Sequence, residues 1–230
     1  MKTLAIDTSN QAMGVAVTDG DLVLGEMITN MKKNHSVRVM PAVQSLLQEV
    51  HLQPKDLDRV AVAYGPGSYT GVRIGVTIAK TMAWSLGIPI VGISSLEVLA
   101  QNGKRFNGLV SPIFDARRGQ VYTGLYGTSN NRFENVKKDR IILLADWLKE
   151  LKRVQRPILF LGQDLNKHGE AIQEALGEQA CLPKMEEQNP RPGTLAILAA
   201  RREPAQSVHS FTPEYLQLAE AESKWLAAQE

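Results

Sequence analysis

Apolar and polar positions fall along this chain in short segments that can be assigned one after another. Thr3–Ile6 is a brief apolar run, Gly14–Thr18 alternates with small residues, and Asp21–Ile28 resumes after an Asp19-Gly20-Asp21 turn. Three consecutive antiparallel strands are predicted from these. Val37, Met40, Val43, Leu47 and Val50 then recur at helical spacing, with Asn34 or Ser36 available to cap the helix start. A buried strand follows at Arg59–Tyr64, a long helix from about Ser68 to Leu86, and a strand at Pro89–Ile93. A further helix is opened by Ser94 or Ser95 with Glu97 behind it. The predicted order is βββαβαβα.

The second half repeats that order less cleanly. Leu109–Phe114 and Val121–Tyr126 form a hairpin around Asp115-Ala116-Arg117-Arg118-Gly119, and Arg140–Leu144 supplies a third strand. A helix at Asp146–Arg153, a strand at Pro157–Leu161 and helices at Leu165–Leu176 and Thr194–Arg201 complete it. Two copies of this unit predict an α/β fold of the actin-like, ribonuclease-H-like type: two lobes, each with a mixed sheet flanked by helices. Asn, Gly, Lys and Arg cluster over Gln101–Gly108, which sets the expected boundary. The expected lobes are residues 1–104 and 105–230, with a last helix over about Pro213–Ala228 that can pack back on the first lobe.

The most informative regularity lies in the long helix. Gly67, Gly71, Gly75, Ala79 and Ala83 recur every fourth residue and lay a stripe of minimal side chains along one face. Interior glycines cost a helix about 1 kcal/mol each relative to alanine, so close approach by another element must offset them. Packing inside the lobe and a subunit interface both meet that requirement, with Val72, Val76 and Met82 flanking the contact. The segment Gly65–Gly75 follows a strand and opens a helix, as phosphate-binding loops do. Its spacing matches neither the Walker motif nor the dinucleotide fingerprint.

In folds of this type phosphate and metal bind on each lobe's first hairpin turn. Here those turns are Asp7-Thr8-Ser9-Asn10 and Asp115-Ala116-Arg117-Arg118-Gly119. Asp7, Thr8 and Ser9 have the right groups for hydrated magnesium and phosphate oxygens, but any tight turn uses the same residues. Arg117 and Arg118 suit a carboxylate or phosphate, or a salt bridge between lobes, better than a metal. The four histidines, His35, His51, His168 and His209, never fall three or four apart, so no His-x-x-x-His pair shares a helical face. No Gly-x-Ser-x-Gly elbow is present.

Composition narrows the class without naming it. The apolar fraction of 43% and charged fraction of 22% are those of an ordinary globular protein. A net charge of +2 from 26 basic and 24 acidic residues, with only short basic pairs such as Lys32-Lys33 and Lys137-Lys138, gives no RNA-binding stripe. One cysteine, Cys181, allows neither an internal disulfide nor a zinc cluster. No apolar stretch reaches membrane-spanning length, and the opening run meets Asp7 too early for a signal peptide, so a cytoplasmic protein is expected.

Asp7-Thr8-Ser9, Asn34-His35-Ser36 followed by Met40-Pro41, the eleven residues Gly65–Gly75 and Asp115–Gly119 together resemble the TsaB family. These are bacterial tRNA threonylcarbamoyladenosine biosynthesis proteins, once labelled glycoproteases. Tyr69 stands where Phe is common and Val72 where Leu is common, and the match weakens beyond about residue 130.

The resemblance implies a non-catalytic subunit that heterodimerises with a TsaD-like catalytic partner. That partner carries the His-x-x-x-His metal site and transfers threonylcarbamoyl to adenosine beside the tRNA anticodon. A TsaE-like ATPase would complete the complex, and tRNA would be met through it. No cofactor is expected for this chain; ATP and metal would belong to the complex. Val37, Met40, Val43, Leu47, Gly67, Gly71, Val72, Gly75, Val76 and Ala79 are implied at the partner interface, or at a homodimer interface when the protein is alone. Asp7, Thr8, Ser9, Asp115, Arg117 and Arg118 would be vestigial cleft loops, since the cleft of such proteins is too closed for ordinary nucleotide binding. A small actin-like ATPase or phosphotransferase using that cleft is the alternative. The protease label is weakened by the missing metal motif.

Overall fold

The computed structural model describes residues 1–31, 34–129 and 131–217. Its first sheet contains β1 (Lys2–Asp7), β2 (Met13–Asp19), β3 (Leu22–Thr29), β4 (Arg59–Ala63) and β5 (Ile90–Ile93), in the order β3-β2-β1-β4-β5. The second contains β6 (Leu109–Asp115), β7 (Gln120–Ser129), β8 (Arg132–Leu143), β9 (Ile158–Leu161) and β10 (Ala180–Cys181), in the matching order β8-β7-β6-β9-β10. In both sheets the first three strands are antiparallel and the last two run parallel to the first. The duplicated unit expected from element order is therefore present, and the short β10 is the strand that the second half lacked on paper.

One correction concerns that second half. Strand β8 starts at Arg132, eight residues before the expected Arg140. Its early part, Arg132–Asp139, is mostly polar and exposed, and it is held by ladder pairing with β7 rather than by burial. The expected C-terminal helix falls mostly outside the described residues; Pro213–Gln217 runs without regular structure.

Alternation within the first-sheet strands decides what covers each face. Leu4, Ile6, Val15, Val17, Val60 and Val62 point to one side and are covered by α1 (Val39–Glu49) and α2 (Tyr69–Leu86), forming a core with Val39, Val43, Leu47, Val72 and Val76. The intervening Ala5, Ala16, Ala61 and Ala63 point to the other side, where only a closely seated helix can fill the space. That helix is α6 (Pro192–Ala200), which puts Leu195, Ala196 and Ala199 onto the alanines.

Helix α6 comes from the second repeat, and the trade is mutual. Helix α3 (Ser95–Ala100), from the first repeat, lays Leu96, Leu99 and Ala100 on Val110, Phe114, Tyr126, Leu159 and Leu161 of the second sheet. Helices α4 (Leu144–Leu151) and α5 (Leu165–Leu176) cover the opposite face of that sheet around Trp147, whose Nε1 donates to Ser111 Oγ at 3.0 Å. Each sheet thus has one face closed by the other repeat's helix.

This exchange has a measurable signature. Leu195→Ala removes a fully buried side chain and is expected to cost about 2–5 kcal/mol. Hydrogen exchange on that variant should show protection lost in β1, β2 and β4. Loss confined to β6 and β9 would mean that α6 is not the lid of the first sheet.

Candidate functional site

The β1–β2 turn is the most deeply enclosed polar segment of the first lobe. Asp7, Thr8 and Ser9 are 3%, 1% and 0% exposed. Ser9 N–H and Oγ–H both donate to Asp7 Oδ1, at 2.9 and 2.7 Å, as an Asp in a turn commonly arranges. Thr8 Oγ1 donates to Gly71 O at 2.6 Å, and Ser68 N–H donates to Ser9 O at 2.7 Å. The start of α2, which would face an anion in a phosphate-binding loop, is closed against carbonyl oxygens of this turn.

That contact explains the glycine stripe. A Cβ added at Gly67 would collide with Ser9 O, and one at Gly71 with Thr8 O. A Cβ at Gly75 would lie 2.6 Å from Thr8 Oγ1. The stripe is therefore internal packing of helix backbone on turn backbone, and this corrects its expected place at a partner interface. Val43, Leu47, Val72, Val76 and Ala79, expected at the same interface, are also turned inward, at 4% exposure or less. The helical phase is the reason. Residues that repeat with the stripe face the sheet, and the outward faces carry the residues between them.

The outward faces are still distinctive. Val37 is 67% exposed, Met40 44% and Tyr69 41%. Ser36, Tyr69, Thr70, Arg73, Ile74, Thr77 and Ile78 line a groove of about 390 Å³ there. The Arg73 guanidinium lies 4.6 Å over the Tyr69 ring, and the Tyr215 ring packs on Tyr69 at a tilt of 32°, with centroids 5.0 Å apart. Val37 and Met40 are thus the two expected interface residues that the fold leaves on the surface.

Burial governs the chemistry of Asp7. Its Oδ2 is buried and has no hydrogen-bond partner among the described residues. Removal from water raises the carboxyl above the ordinary carboxylate range, against the lowering effect of the two Ser9 bonds and of nearby His35. His35 Nε2 lies 3.0 Å from Asn10 O; a carbonyl only accepts, so this nitrogen carries the proton. The carboxyl thus has one oxygen committed to Ser9 and the other enclosed without a partner. Among the described residues no group of three His, Cys, Asp or Glu side chains is placed to hold a metal ion.

The second turn is built oppositely. Arg117, Arg118 and Gly119 are three consecutive residues with positive φ, at 66°, 52° and 73°, and both arginines are exposed. Left-handed backbone costs a residue with a Cβ roughly 1–2 kcal/mol. Asp115 beneath them accepts from Arg117 N–H at 3.1 Å and from Lys167 Nζ at 2.8 Å, with His168 Nε2 at 3.4 Å. Asp115 N–H in turn donates to Asp164 Oδ2 at 3.0 Å. Lys167 and Arg117 hold the Asp115 carboxyl below its usual range although partial desolvation works the other way. Asp164 and Lys167 also line a cavity of about 760 Å³ between the lobes, with Gln11, Leu182 and Met185 on its other walls.

Two features had no sequence signal. Asp139 on β8 is gripped by Ser94 Oγ and by Tyr126 Oη at 2.5 Å, joining the cap of α3 to the second sheet. A single acid in a polar strand gives no hint of that. Beyond α6 the chain also straps the first lobe. Ala205 N–H donates to Ile90 O at 2.9 Å, Glu214 N–H to Tyr64 O at 2.8 Å, and Lys80 Nζ to the carbonyls of His209 and Phe211 at 2.9 and 2.6 Å. Backbone-mediated contacts of this kind leave no residue pattern.

Comparison with known proteins places this architecture. Residues 23–225 match the family model of TsaD, tRNA N6-adenosine threonylcarbamoyltransferase. The chain is 56% identical over 229 residues to the tRNA threonylcarbamoyladenosine biosynthesis protein TsaB of Bacillus subtilis, covering 100% of both chains. It superimposes on the solved structure of YeaZ from Pseudomonas aeruginosa with a TM-score of 0.76 at 25% identity, covering 94% of this chain and 99% of that one. A Thermus thermophilus ROK hexokinase shares the fold at a TM-score of 0.51 and 10% identity, covering 86% and 98%.

The helix–turn contact makes a prediction opposite in sign to helix propensity. Gly71→Ala and Gly75→Ala would each gain about 1 kcal/mol on propensity. Overpacking costs about 1–3 kcal/mol or more and wins at Gly71, where backbone must move. Urea unfolding should rank wild type above Gly75→Ala, and Gly75→Ala above Gly71→Ala. A Gly71→Ala protein more stable than wild type would refute the contact.

Asp7 predicts a pH dependence. Its raised folded-state value means that its stabilising effect is complete below the ordinary carboxylate range and is lost as pH rises through the folded value. Asp7→Asn removes that dependence. The stability of wild type relative to Asp7→Asn should decline as pH rises from 4 towards neutrality, and parallel profiles would show that burial leaves the Asp7 carboxyl unshifted.

Proposed function

Since the chain belongs to the TsaB family within the wider TsaD family, we propose that it is the non-catalytic subunit of a tRNA threonylcarbamoyladenosine-forming complex. The observation that carries this reading is 56% identity over full length to a protein named for that biosynthesis. The enclosed first turn supports it: the start of α2 is packed directly on the turn carbonyls of Thr8 and Ser9, and Asp7 is buried with one oxygen held by Ser9. Chemistry is left to a TsaD-like partner, which would bring metal, and to a TsaE-like ATPase, which would bring ATP. This chain takes no cofactor of its own, meets tRNA within the complex and works in the cytoplasm. No helix among the described residues is long and apolar enough to cross a membrane.

The partner contact is made by the outward sides of α1, α2 and the short 3-10 turn His35–Val37 before α1. Val37, Met40, Tyr69, Ile74 and Ile78 supply apolar area there, and Arg73 supplies a charge-bearing rim. Aromatic and Met side chains around a shallow groove have the composition of an interface core. A second copy of the chain would use the same face when the partner is absent. An independent ATPase or phosphotransferase gains nothing from a turn closed to phosphate.

The reading is tested by reconstituting threonylcarbamoylation of unmodified tRNA with and without this chain. Product should be lost without it and restored by wild type and by Asp7→Asn. Undiminished product in its absence would overturn the proposal. At the interface, Val37→Asp combined with Met40→Asp should shift stability by no more than about 0.5 kcal/mol per site, since both are exposed. The same pair should weaken binding to the catalytic partner at least tenfold by calorimetry; unchanged affinity would move the interface elsewhere.

A further inference from the structure

We propose that the basic end of the second lobe, where the α3–β6 and α4–β9 loops meet, contacts the phosphodiester backbone of an RNA. The inference rests on the function proposed above, which supplies tRNA as that RNA. Its first basis is a juxtaposition made by the fold. Lys104 and Arg105 lie in the first loop, Lys152, Arg153 and Arg156 in the second, and all five are exposed. Arg156 Nη2 donates to Gly108 O at 3.1 Å and Leu109 N–H donates to Pro157 O at 2.9 Å, so the loops abut where β6 and β9 begin. Gln179 Nε2 lies against the carbonyls of Leu151, Val154 and Arg156, which fixes the second loop. Two short basic pairs, far apart in the chain and too short to form a stripe alone, are thus brought to one end of one sheet.

The second basis is the balance of charge there. Among the described residues none of the five has a carboxylate partner, whereas Arg191 is paired with Glu26, Arg201 with Asp21 and Arg202 with Glu97. The neighbouring acids are Glu178 beside Gln179, Glu186 and Glu187 beside Asn102, and Glu134 across the strand ends, accompanied by the cations Lys184 and Arg132. Seven cations against four acids exceed the net +2 of the whole chain, so the rest of the molecule is net negative. The dipole of α4 accounts for Lys152, its C-cap residue, and gives no reason for Lys104 and Arg105 on the other loop. RNA presents closely spaced phosphates, and Lys and Arg are the side chains that contact them. The third basis is position. Gly103 seats the first loop on Val110 and Leu159 of the second sheet, whereas α1 and α2 lie on the first, so this end is separate from the face proposed for the catalytic partner.

The test uses the reconstituted complex and unmodified tRNA, with binding measured over a range of salt concentrations. Lys104→Gln, Arg105→Gln, Lys152→Gln and Arg153→Gln together remove four charges and keep Arg156, whose side chain joins the loops. The expected result is an unchanged melting temperature, a log–log salt slope shallower by about 2–3, and a raised KM for tRNA at unchanged kcat. Either loop's pair alone should give about half of that slope change, which keeps the test decisive if the fourfold variant folds poorly. Lys2→Gln with Lys55→Gln, on the first lobe, removes as much charge as either pair and should leave slope and KM as in wild type. An equal shift there would overturn the inference, because net charge alone would explain it. So would unchanged slope and KM in every variant of the two loops. Weaker binding of the catalytic partner with tRNA affinity intact would also overturn it and assign this end to an acidic protein surface. A complex in which omission of the whole chain has no effect would instead defeat the underlying functional reading.

Discussion

The contact on which the rest of the first lobe depends is the meeting of two stretches of backbone. The carbonyls of Thr8 and Ser9 lie where side chains on Gly71 and Gly67 would have to be. Fixing α2 at that distance sets Val72 and Val76 onto the large residues of the sheet and seals Asp7 from water. It also spends the hydrogen-bonding capacity of the turn internally, through Thr8 Oγ1 to Gly71 O and Ser68 N–H to Ser9 O. The same few atoms thus hold the lobe together and close the turn against the helix.

With the interior closed in this way, what the chain offers to other molecules lies on its outside. One surface is apolar, on the outer sides of α1 and α2. The other is charged, where the α3–β6 and α4–β9 loops meet. They sit on different lobes and differ in kind. Shape and charge are thus offered at separate places.

Much of this was legible in the chain itself, and the limits are instructive. The glycine period revealed that something must approach α2 closely, because the cost of glycine in a helix is local and known. It did not say what approaches, since a turn of the same lobe and a foreign helix leave the same pattern. Val43, Leu47, Val72 and Val76 were expected outside and lie inside for a related reason: apolar periodicity marks a buried face without naming who buries it. Strand β8 was half missed because Arg132–Asp139 is held by ladder hydrogen bonds, which any residue except proline can make. The family was legible from Gly65–Gly75 and Asp115–Gly119 because both segments obey backbone constraints that few sequences satisfy.

The exchange of α3 and α6 between the sheets has a consequence for how the protein is made. The first sheet is synthesised by Ile93, but its alanine face is covered only when Pro192–Ala200 appears, about a hundred residues later. At bacterial elongation rates that interval is roughly 5–20 s. Through that interval one side of a nearly finished sheet stays bare on the ribosome. Its small alanine side chains present less apolar surface than the valine-rich side, which α1 and α2 cover soon after they emerge. Alanine on the late-covered face therefore serves two ends: it lets α6 sit close in the finished protein, and it keeps the waiting surface the less adhesive of the two.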